Sequence, residues 1–273
     1  MRDYKSPGQY ILDQYAPRID DLSFPLWMNL GLWQEAETYA DACRALADLV
    51  AQRVGLGPED ELLDAGCGFG HPARHWLETY RPKRIVGLNI DPEQVRIANA
   101  RAAALGVADR MQFLLASATR MPFPDQSFDK VIALESAFYF DTREDFLREA
   151  FRVLRPGGRI VLADMLPTAT WKTTERNKSV RWYSMKPEEN VYPLAEYLER
   201  IRAAGFVDVR GESIRQHVFP GISQVVDAIR LENRYAGDLV VKVSPEERAR
   251  CAGADLWEND LGLGDFAIFE GTR

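Results

Sequence analysis

The chain has 273 residues, enough for one large domain or for a domain with a covering segment. Its net charge of −7 argues against a nucleic-acid backbone as the main partner, because phosphate binding needs a basic surface. No apolar run approaches the roughly 20 residues of a membrane span. The N-terminal sequence MRDYKSPGQY also lacks the apolar segment of a signal peptide.

The cysteine pattern predicts neither a metal site nor a disulfide framework. Cys43, Cys67 and Cys251 are scattered, and no Cys or His cluster has the spacing of metal ligands, so we expect no bound metal. The odd number of cysteines favours reduced thiols and hence a cytoplasmic location. Cys67 lies between two glycines, where we expect it to pack as a small apolar residue.

Residues 1–57 are predicted to form an N-terminal helical arm or cap. The arm begins with an aromatic-rich stretch that includes MNLGLW (28–33). A helix is predicted over about 35–54, because apolar residues recur there every three or four positions. The remaining residues, 58–273, are predicted to form one α/β domain.

A glycine-rich turn follows the first predicted strand. The sequence ELLDAGCGFG (61–70) is a short apolar run that ends in Asp64 and continues into three glycines, and a helical sequence follows it. Glycines at such a turn let the main chain pass close to a bound ligand. The order of strand, turn and helix is typical of a nucleotide-binding unit. A dinucleotide fingerprint would have another glycine at His71, which disfavours a dehydrogenase.

The second predicted strand, IVGLNI (85–90), ends about twenty residues after the glycine turn. Asn89 therefore stands where nucleotide-binding sheets place a polar side chain for the ribose hydroxyls. Asp91 and Pro92 then predict a helix start, with Gln94 as the capping-box partner of Asp91.

Five further strands are predicted from short apolar, β-branched runs: MQFLLA (111–116), KVIAL (130–134), RIVLAD (159–164), FVDVRGES (206–213) and DFAIFEGT (265–272). Helical periods separate most of these runs, which predicts a mostly parallel sheet covered on both faces. The helix over 142–154 is predicted to be capped by Asp141 and Glu144. Lid insertions are predicted at about 165–190 and 214–262, the first of them polar with embedded aromatics.

Four motifs in this order resemble those of class I S-adenosylmethionine-dependent methyltransferases. They are the GxGxG turn after an acidic strand end, GLNIDPEQ, MPFPDQSFD with the strand after it, and RPGG, and together they cover about residues 60–165. GLNIDPEQ and MNLGLW are most similar to the small-molecule subgroup, which includes sterol, cyclopropane-fatty-acid and antibiotic-tailoring methyltransferases. The resemblance implies a Rossmann-like fold with a mostly parallel seven-stranded sheet. It also implies S-adenosylmethionine as cofactor and S-adenosylhomocysteine as its product.

The resemblance implies a set of cofactor-binding positions. They are Asp64, Gly66, Gly68, Asn89, Ile90, Gln94, Ser117 and Ala118. In the family, the counterpart of Asp64 helps to hold the methionine portion, and the 89–90 pair matches the ribose-binding motif. This chain departs from the common pattern twice, because Asn89 and Ser117 each replace an acid.

Four residues are candidates for the chemistry at the acceptor. Glu135 ends the fourth strand, at the sheet edge that faces the methyl group in the family. The family's frequent histidine in the segment after this strand is missing, so the general base is open among Tyr139, Asp164 and His217. Six aromatic residues are predicted to line an apolar acceptor pocket: Phe138, Tyr139, Phe140, Trp171, Trp182 and Tyr183.

The sequence thus predicts methyl transfer to a small, largely apolar natural product, at a hydroxyl oxygen. Carbon methylation of an isoprenoid or sterol-like acceptor is the main alternative. A third possibility is a protein of the same fold with a cyclase-like or scaffold role. We expect a small-molecule partner, no nucleic acid and possible self-association into a homo-oligomer.

Overall fold

A computed structural model of the chain describes residues 16–19, 21, 24–166, 190, 192–232, 236, 239–252 and 264–273. Its centre is a seven-stranded sheet with the strand order β3-β2-β1-β4-β5-β7-β6. Only β7 runs opposite to its neighbours. The strands are β1 (Glu61–Ala65), β2 (Arg84–Asn89), β3 (Met111–Leu115), β4 (Phe128–Leu134), β5 (Leu154–Leu166), β6 (Val207–Ser213) and β7 (Asp265–Thr272).

Helices cover both faces of this sheet, as the sequence predicts. They are α1 (Tyr39–Val54), α2 (His71–Thr79), α3 (Pro92–Ala104), α4 (Arg143–Val153), α5 (Leu194–Ala203), α6 (Arg215–Glu232) and α7 (Pro245–Ala252), with short 3-10 turns at Ala16–Arg18 and Ala137–Tyr139. Neighbouring strand residues such as Leu62 and Leu63 belong to two separate apolar clusters, one on each face. None of the helices in the described part of the chain combines the length and apolar composition needed to cross a bilayer.

The predicted strands are confirmed to within a few residues, but two predicted helix caps are wrong in detail. The cap of α4 is Thr142, whose hydroxyl accepts the Asp145 N–H at 3.0 Å, and not the pair Asp141 and Glu144. Thr142 has the extended backbone that an N-cap requires, so it takes this role from its neighbour. The strand β5 also begins earlier than the predicted strand 159–164, because RPGG (155–158) lies within β5 as an irregularity in its pairing with β4.

At α3, Asp91 caps the helix as predicted and accepts the N–H groups of Glu93 and Gln94. The capping box is not completed by the Gln94 side chain. The Asp91 N–H is instead bound by the Asn89 side-chain oxygen at 3.1 Å, because that oxygen lies two residues away at the strand end.

The N-terminal segment crosses to the carboxyl edge of the parallel strands, and we call its residues 24–34 the strap. Trp33 of the strap is fully buried, and its main-chain N–H donates to the His217 carbonyl of α6 at 2.6 Å. The helix after the strap begins at Tyr39 instead of about residue 35, because Thr38 caps it. The predicted boundary at residue 57 and the two predicted insertions remain predictions. Of the first insertion, only residues 165, 166 and 190 belong to the described residues.

Candidate active site

The glycine turn between β1 and α2 has the open geometry that the sequence predicts. Gly66 and Gly68 have φ values of 84° and 54°, a backbone region that favours glycine. A Cβ on Gly66 would lie 2.3 Å from the Ser136 Cβ, so the residue after Glu135 packs directly beneath the turn. A Cβ on Gly68 would lie 3.5 Å from the Met28 Sδ of the strap and 4.0 Å from the Gln94 Oε1, both of them ordinary contact distances. The main chain at Gly68 is therefore accessible to a ligand lying between turn and strap.

Asp64 lies beneath this turn at the carboxyl end of β1. It is 2% exposed, and its Oδ2 atom has no hydrogen-bond partner within the described part of the chain. Burial raises the pKa of the Asp64 carboxyl to about 7. A buried carboxylate oxygen without a partner is unfavourable unless a ligand supplies one. The position fits a cationic group of a ligand.

Asn89 and Gln94 meet at the end of the neighbouring strand β2. The Asn89 amide nitrogen donates to the Gln94 side-chain oxygen at 2.8 Å and to the Gly68 carbonyl at 3.4 Å. The sequence places these side chains at one strand end, and the structure brings them together beside the glycine turn. Amide donors and acceptors in this position can bind ribose hydroxyls.

Apolar side chains lie exposed next to this polar pair. Ile90 directly follows β2 and is 71% exposed, and Leu115 pairs with Asn89 and is also exposed. The Ser117 hydroxyl is 2.8 Å from the Thr119 hydroxyl, and Ala118 is buried. An exposed isoleucine at a strand end offers an apolar surface for a flat ring such as adenine.

Glu135 stands at the carboxyl end of β4, with a left-handed φ of 51°. Its Oε1 atom accepts the Leu30 N–H of the strap at 2.7 Å. Burial raises the pKa of the Glu135 carboxyl to about 8, and the Asp164 charge adds to the rise. The side chain thus connects the fourth strand to the strap.

Tyr139 lies in the short turn after Glu135 and is 44% exposed. Its ring packs against the Phe138 ring with centroids 4.1 Å apart. Partial burial, with the Glu135 charge, raises the pKa of the Tyr139 phenol to about 12. A phenol with this pKa is protonated at neutral pH, so it can orient an acceptor but is poorly suited to take its proton.

Asp164 is fully buried within β5, away from any exposed surface. Its Oδ2 atom lies 2.8 Å from the Arg143 Nε of α4 and accepts the Tyr197 hydroxyl of α5 at 3.2 Å. These contacts are structural, and they argue against Asp164 as the base. Arg143 was not predicted from the sequence. A basic residue at a helix N-terminus interacts unfavourably with the helix dipole. The position of Arg143 at the start of its helix was therefore the one signal in the sequence for an acidic partner.

His217 lies in α6 behind the strap. Its Nδ1 atom is 3.4 Å from an Arg248 nitrogen, and burial, with the Arg248 charge, lowers the pKa of its imidazole. Arg248 in turn donates to the carbonyls of Trp33 and Gln34. The structure therefore places His217 among the contacts that hold the strap. Its contact with the strap uses the His217 main-chain carbonyl, which no side-chain motif in the sequence could indicate.

The described residues bring together the glycine turn, Asp64, Asn89, Gln94 and Glu135 at the carboxyl ends of β1, β2 and β4. This is the edge where sheets of this type bind ligands. Phe138 is buried, and Phe140 is partly buried against the apolar cluster on one face of the sheet. Trp171, Trp182 and Tyr183 lie outside the described residues. No group of three or more potential metal ligands occurs in the described ranges.

Cys67, within the glycine turn, packs as the sequence predicts. It is buried, and burial raises the pKa of its thiol well above the ordinary value. Cys43 and Cys251 are buried as well.

Comparison with known proteins bears on the same stretch of chain. A family model described as a methyltransferase domain matches residues 63–162. An erythromycin 3''-O-methyltransferase of Saccharopolyspora erythraea is 39% identical over 70% of this chain and 65% of its own length. The chain thus spans just under two thirds of that relative. A 27-O-demethylrifamycin SV methyltransferase of Amycolatopsis mediterranei is 36% identical over 76% of this chain and 77% of its own length.

Among solved structures, the cyclase SpnF matches with a TM-score of 0.68 and 24% identity, over 98% of this chain and 96% of that chain. The match to SpnF covers nearly the whole chain and therefore reaches beyond residues 63–162. At this level of identity it concerns the fold alone.

Proposed function

The chain belongs to the methyltransferase family, and from that membership we propose that it transfers a methyl group from S-adenosylmethionine to a hydroxyl oxygen of a small, largely apolar natural product. Two relatives bear on the acceptor, since one is named as an O-methyltransferase of erythromycin and the other as a methyltransferase of a 27-O-demethylated rifamycin. Both names concern antibiotics, which supports a role in natural-product tailoring.

The observation that carries the cofactor assignment is the unpartnered, buried Oδ2 atom of Asp64. A cationic group of the cofactor's amino-acid portion would give this carboxylate the partner that the protein lacks. The main chain at Gly66 and Gly68 would approach the same portion. Asn89 and Gln94 would give up their mutual hydrogen bond and bind the ribose hydroxyls.

The adenine would lie beside the exposed Ile90 side chain, with Ser117 and Ala118 at its edge. A neutral Asn89 and a Ser117 hydroxyl bind without the charge assistance of the acids that they replace. The residues present therefore fit the cofactor, with weaker polar contacts on its nucleoside side than on its amino-acid side.

When bound, S-adenosylmethionine supplies a methyl group on a positively charged sulfur, which is open to in-line attack. The protein's part is to position the acceptor and to exclude water from the site. Tyr139, which is exposed in the turn after Glu135, would contact the acceptor. Tyr139 stays protonated at neutral pH, Asp164 is paired with Arg143, and His217 lies beside Arg248 among the contacts that hold the strap. We therefore assign the proton of the acceptor to none of these three side chains.

We also propose that residues 1–57 act as a cap on the domain 58–273, with inserted segments at about 165–190 and 214–262. The acceptor is a small molecule and not a nucleic acid, and self-association into a homo-oligomer is possible. Carbon methylation and a non-methylating role are the outcomes against which the proposal is tested.

The test uses S-adenosylmethionine with a deuterated methyl group and a panel of hydroxylated natural products that includes 27-O-demethylrifamycin SV. We expect a product whose mass increases by one labelled methyl group, with one S-adenosylhomocysteine released for each product formed. Labelled methyl on carbon would contradict the oxygen assignment. A changed product that forms without S-adenosylhomocysteine would indicate the cyclase-like alternative.

A further inference from the structure

The strap is held to the rest of the protein through main-chain hydrogen bonds at several places, among them the bond from the Trp33 N–H to the His217 carbonyl. Near its start, Arg101 of α3 donates to the carbonyl of Phe24 and to that of Asp21 just before the strap, at 2.6 to 2.9 Å. In its middle, the Leu30 N–H donates to Glu135. At its end, Arg248 of α7 donates to the carbonyls of Trp33 and Gln34. Of these anchors, Glu135 is the one that lies at the end of a parallel strand in the candidate site.

The contact at Leu30 is built into the turn that Glu135 occupies. A φ of 51° is uncommon for a residue with a side chain, and it persists only where the surroundings enforce it. The next residue, Ser136, packs beneath Gly66 and donates to the Ala65 carbonyl. The two residues Glu135 and Ser136 therefore contact the strap and the glycine turn at once.

The strap places one side chain against the glycine turn. Met28 lies only two residues before Leu30, and its Sδ is the first atom that a Cβ on Gly68 would meet. Asn29 between them is fixed as well, because its side chain donates to the Cys43 carbonyl at 3.3 Å and accepts the Gly31 N–H at 3.0 Å. Fixing the main chain at Leu30 thus restricts where Met28 can lie.

We propose that Glu135 is a positioning residue whose carboxyl group holds the strap at Leu30 and thereby keeps Met28 against the glycine turn. The effect on ligand affinity rests on the proposed function, since it assumes that the cofactor's amino-acid portion lies at that turn. The hydrogen bond itself belongs to the ligand-free protein and can be tested without any ligand.

The charges around Glu135 favour a neutral donor on the strap. Residues 24–34 contain no charged side chain. The negative charge of Asp164 in β5 raises the pKa of Glu135, although Asp164 is itself paired with Arg143. Tyr139 in the following turn and Cys43 of α1 are the other titratable groups that feel the Glu135 charge. A backbone N–H binds the Glu135 carboxyl oxygen in this setting without adding a further charge.

Two substitutions separate the length of this side chain from its charge. Glu135→Gln keeps the length and offers an amide oxygen to Leu30. Glu135→Asn suits the left-handed backbone but is one methylene too short to reach the strap. Gln126→Asn is the matched control, because Gln126 is an exposed residue with a φ of 58° outside the site.

The first readout is hydrogen exchange at the Leu30 amide in the ligand-free protein. We expect Glu135→Asn to raise the exchange rate about tenfold or more, as loss of a buried hydrogen bond implies. Glu135→Gln and Gln126→Asn should stay within about threefold of the unmodified protein. An unchanged rate in Glu135→Asn, or equal acceleration in both Glu135 variants, would overturn the proposal.

The second readout is the affinity for S-adenosylhomocysteine, measured by calorimetry on the same variants. We expect Glu135→Asn to weaken binding about five- to tenfold, with Glu135→Gln restoring most of the affinity. Faster exchange at Leu30 with unchanged affinity would overturn the positioning role. If the unmodified protein binds no S-adenosylhomocysteine while exchange responds as expected, the strap contact stands and the proposed function fails.

Discussion

Two acids of the candidate site, Asp64 and Glu135, keep their protons to a higher pH than ordinary carboxyl groups do. Burial raises the pKa of Asp64 to about 7 and that of Glu135 to about 8. In the unfolded chain both acids ionise near pH 4, so between about pH 4 and 7 the folded state binds more protons than the unfolded state. Their contribution to the free energy of unfolding therefore falls as the pH rises through this window.

Replacing Asp64 by Asn should flatten this pH dependence. The neutral amide has no proton to lose, so the free energy of unfolding of Asp64→Asn should decline less between pH 5 and 8, by on the order of 1–4 kcal/mol. Urea unfolding without ligand across this pH range measures the effect. Asp109→Asn, at an exposed position, serves as the control and should follow the unmodified protein. Parallel profiles for Asp64→Asn and the unmodified protein would contradict the raised pKa of the Asp64 carboxyl.

Replacing Tyr139 tests whether its phenol oxygen acts as the general base. Because its pKa is raised to about 12, the phenol is not the group that takes a proton near neutral pH. We expect Tyr139→Phe to keep turnover within about fivefold of the unmodified protein, since a general base is worth about 10² to 10⁴ in rate. The measurement is labelled methyl transfer over a pH series. A loss of a hundredfold or more at constant cofactor affinity would reinstate Tyr139 as the base.

At the scale of elements, one buried ion pair joins α4 to β5 beside the site. Arg143 is 1% exposed and Asp164 is fully buried. Arg143 also donates to the Met165 carbonyl at 2.7 Å, and its N–H donates to the Asn190 side chain. A charge left alone in such surroundings is far more costly than the intact pair. The pair therefore fixes the relative positions of the two elements.

Arg143→Met should destabilise the protein by about 3–5 kcal/mol, because it leaves the Asp164 carboxylate buried without its cation. The double variant Arg143→Met with Asp164→Asn should recover part of that loss, since both charges are then gone. Urea unfolding of the two variants measures this. Arg148→Met removes the partner of an exposed i,i+3 pair and should cost no more than about 1 kcal/mol. A double variant no more stable than Arg143→Met would contradict the pairing.

At the scale of the whole molecule, the sheet was predictable because its signals are local. Runs such as IVGLNI and KVIAL place apolar side chains on both faces, which is typical of a covered parallel strand. The positions of Asp64, Asn89 and Glu135 followed, since the ends of parallel strands meet at one edge. The α4 cap was mispredicted because Asp141 and Thr142 are both good caps, and only the backbone decides between them.

The contacts that complete the site were not predictable in the same way. The Leu30 contact uses a main-chain N–H, which every residue but proline offers, so the sequence carries no mark of it. The Arg143 and Asp164 pair joins residues 21 positions apart through the packing of α4 on β5. Sequence patterns locate strand ends, whereas contacts of this kind depend on how separate elements pack.

The central claim is that Asp64 and the glycine turn form a binding site for the methyltransferase cofactor. Calorimetric titration of S-adenosylhomocysteine into the unmodified protein and into Asp64→Ala tests it directly, with Asp109→Ala as control. We expect saturable 1:1 binding to the unmodified protein and the control, and at least about tenfold weaker binding to a folded Asp64→Ala, as loss of a charge-assisted contact implies. Equal affinity in Asp64→Ala, or binding of NADH instead of S-adenosylhomocysteine by the unmodified protein, would contradict the account.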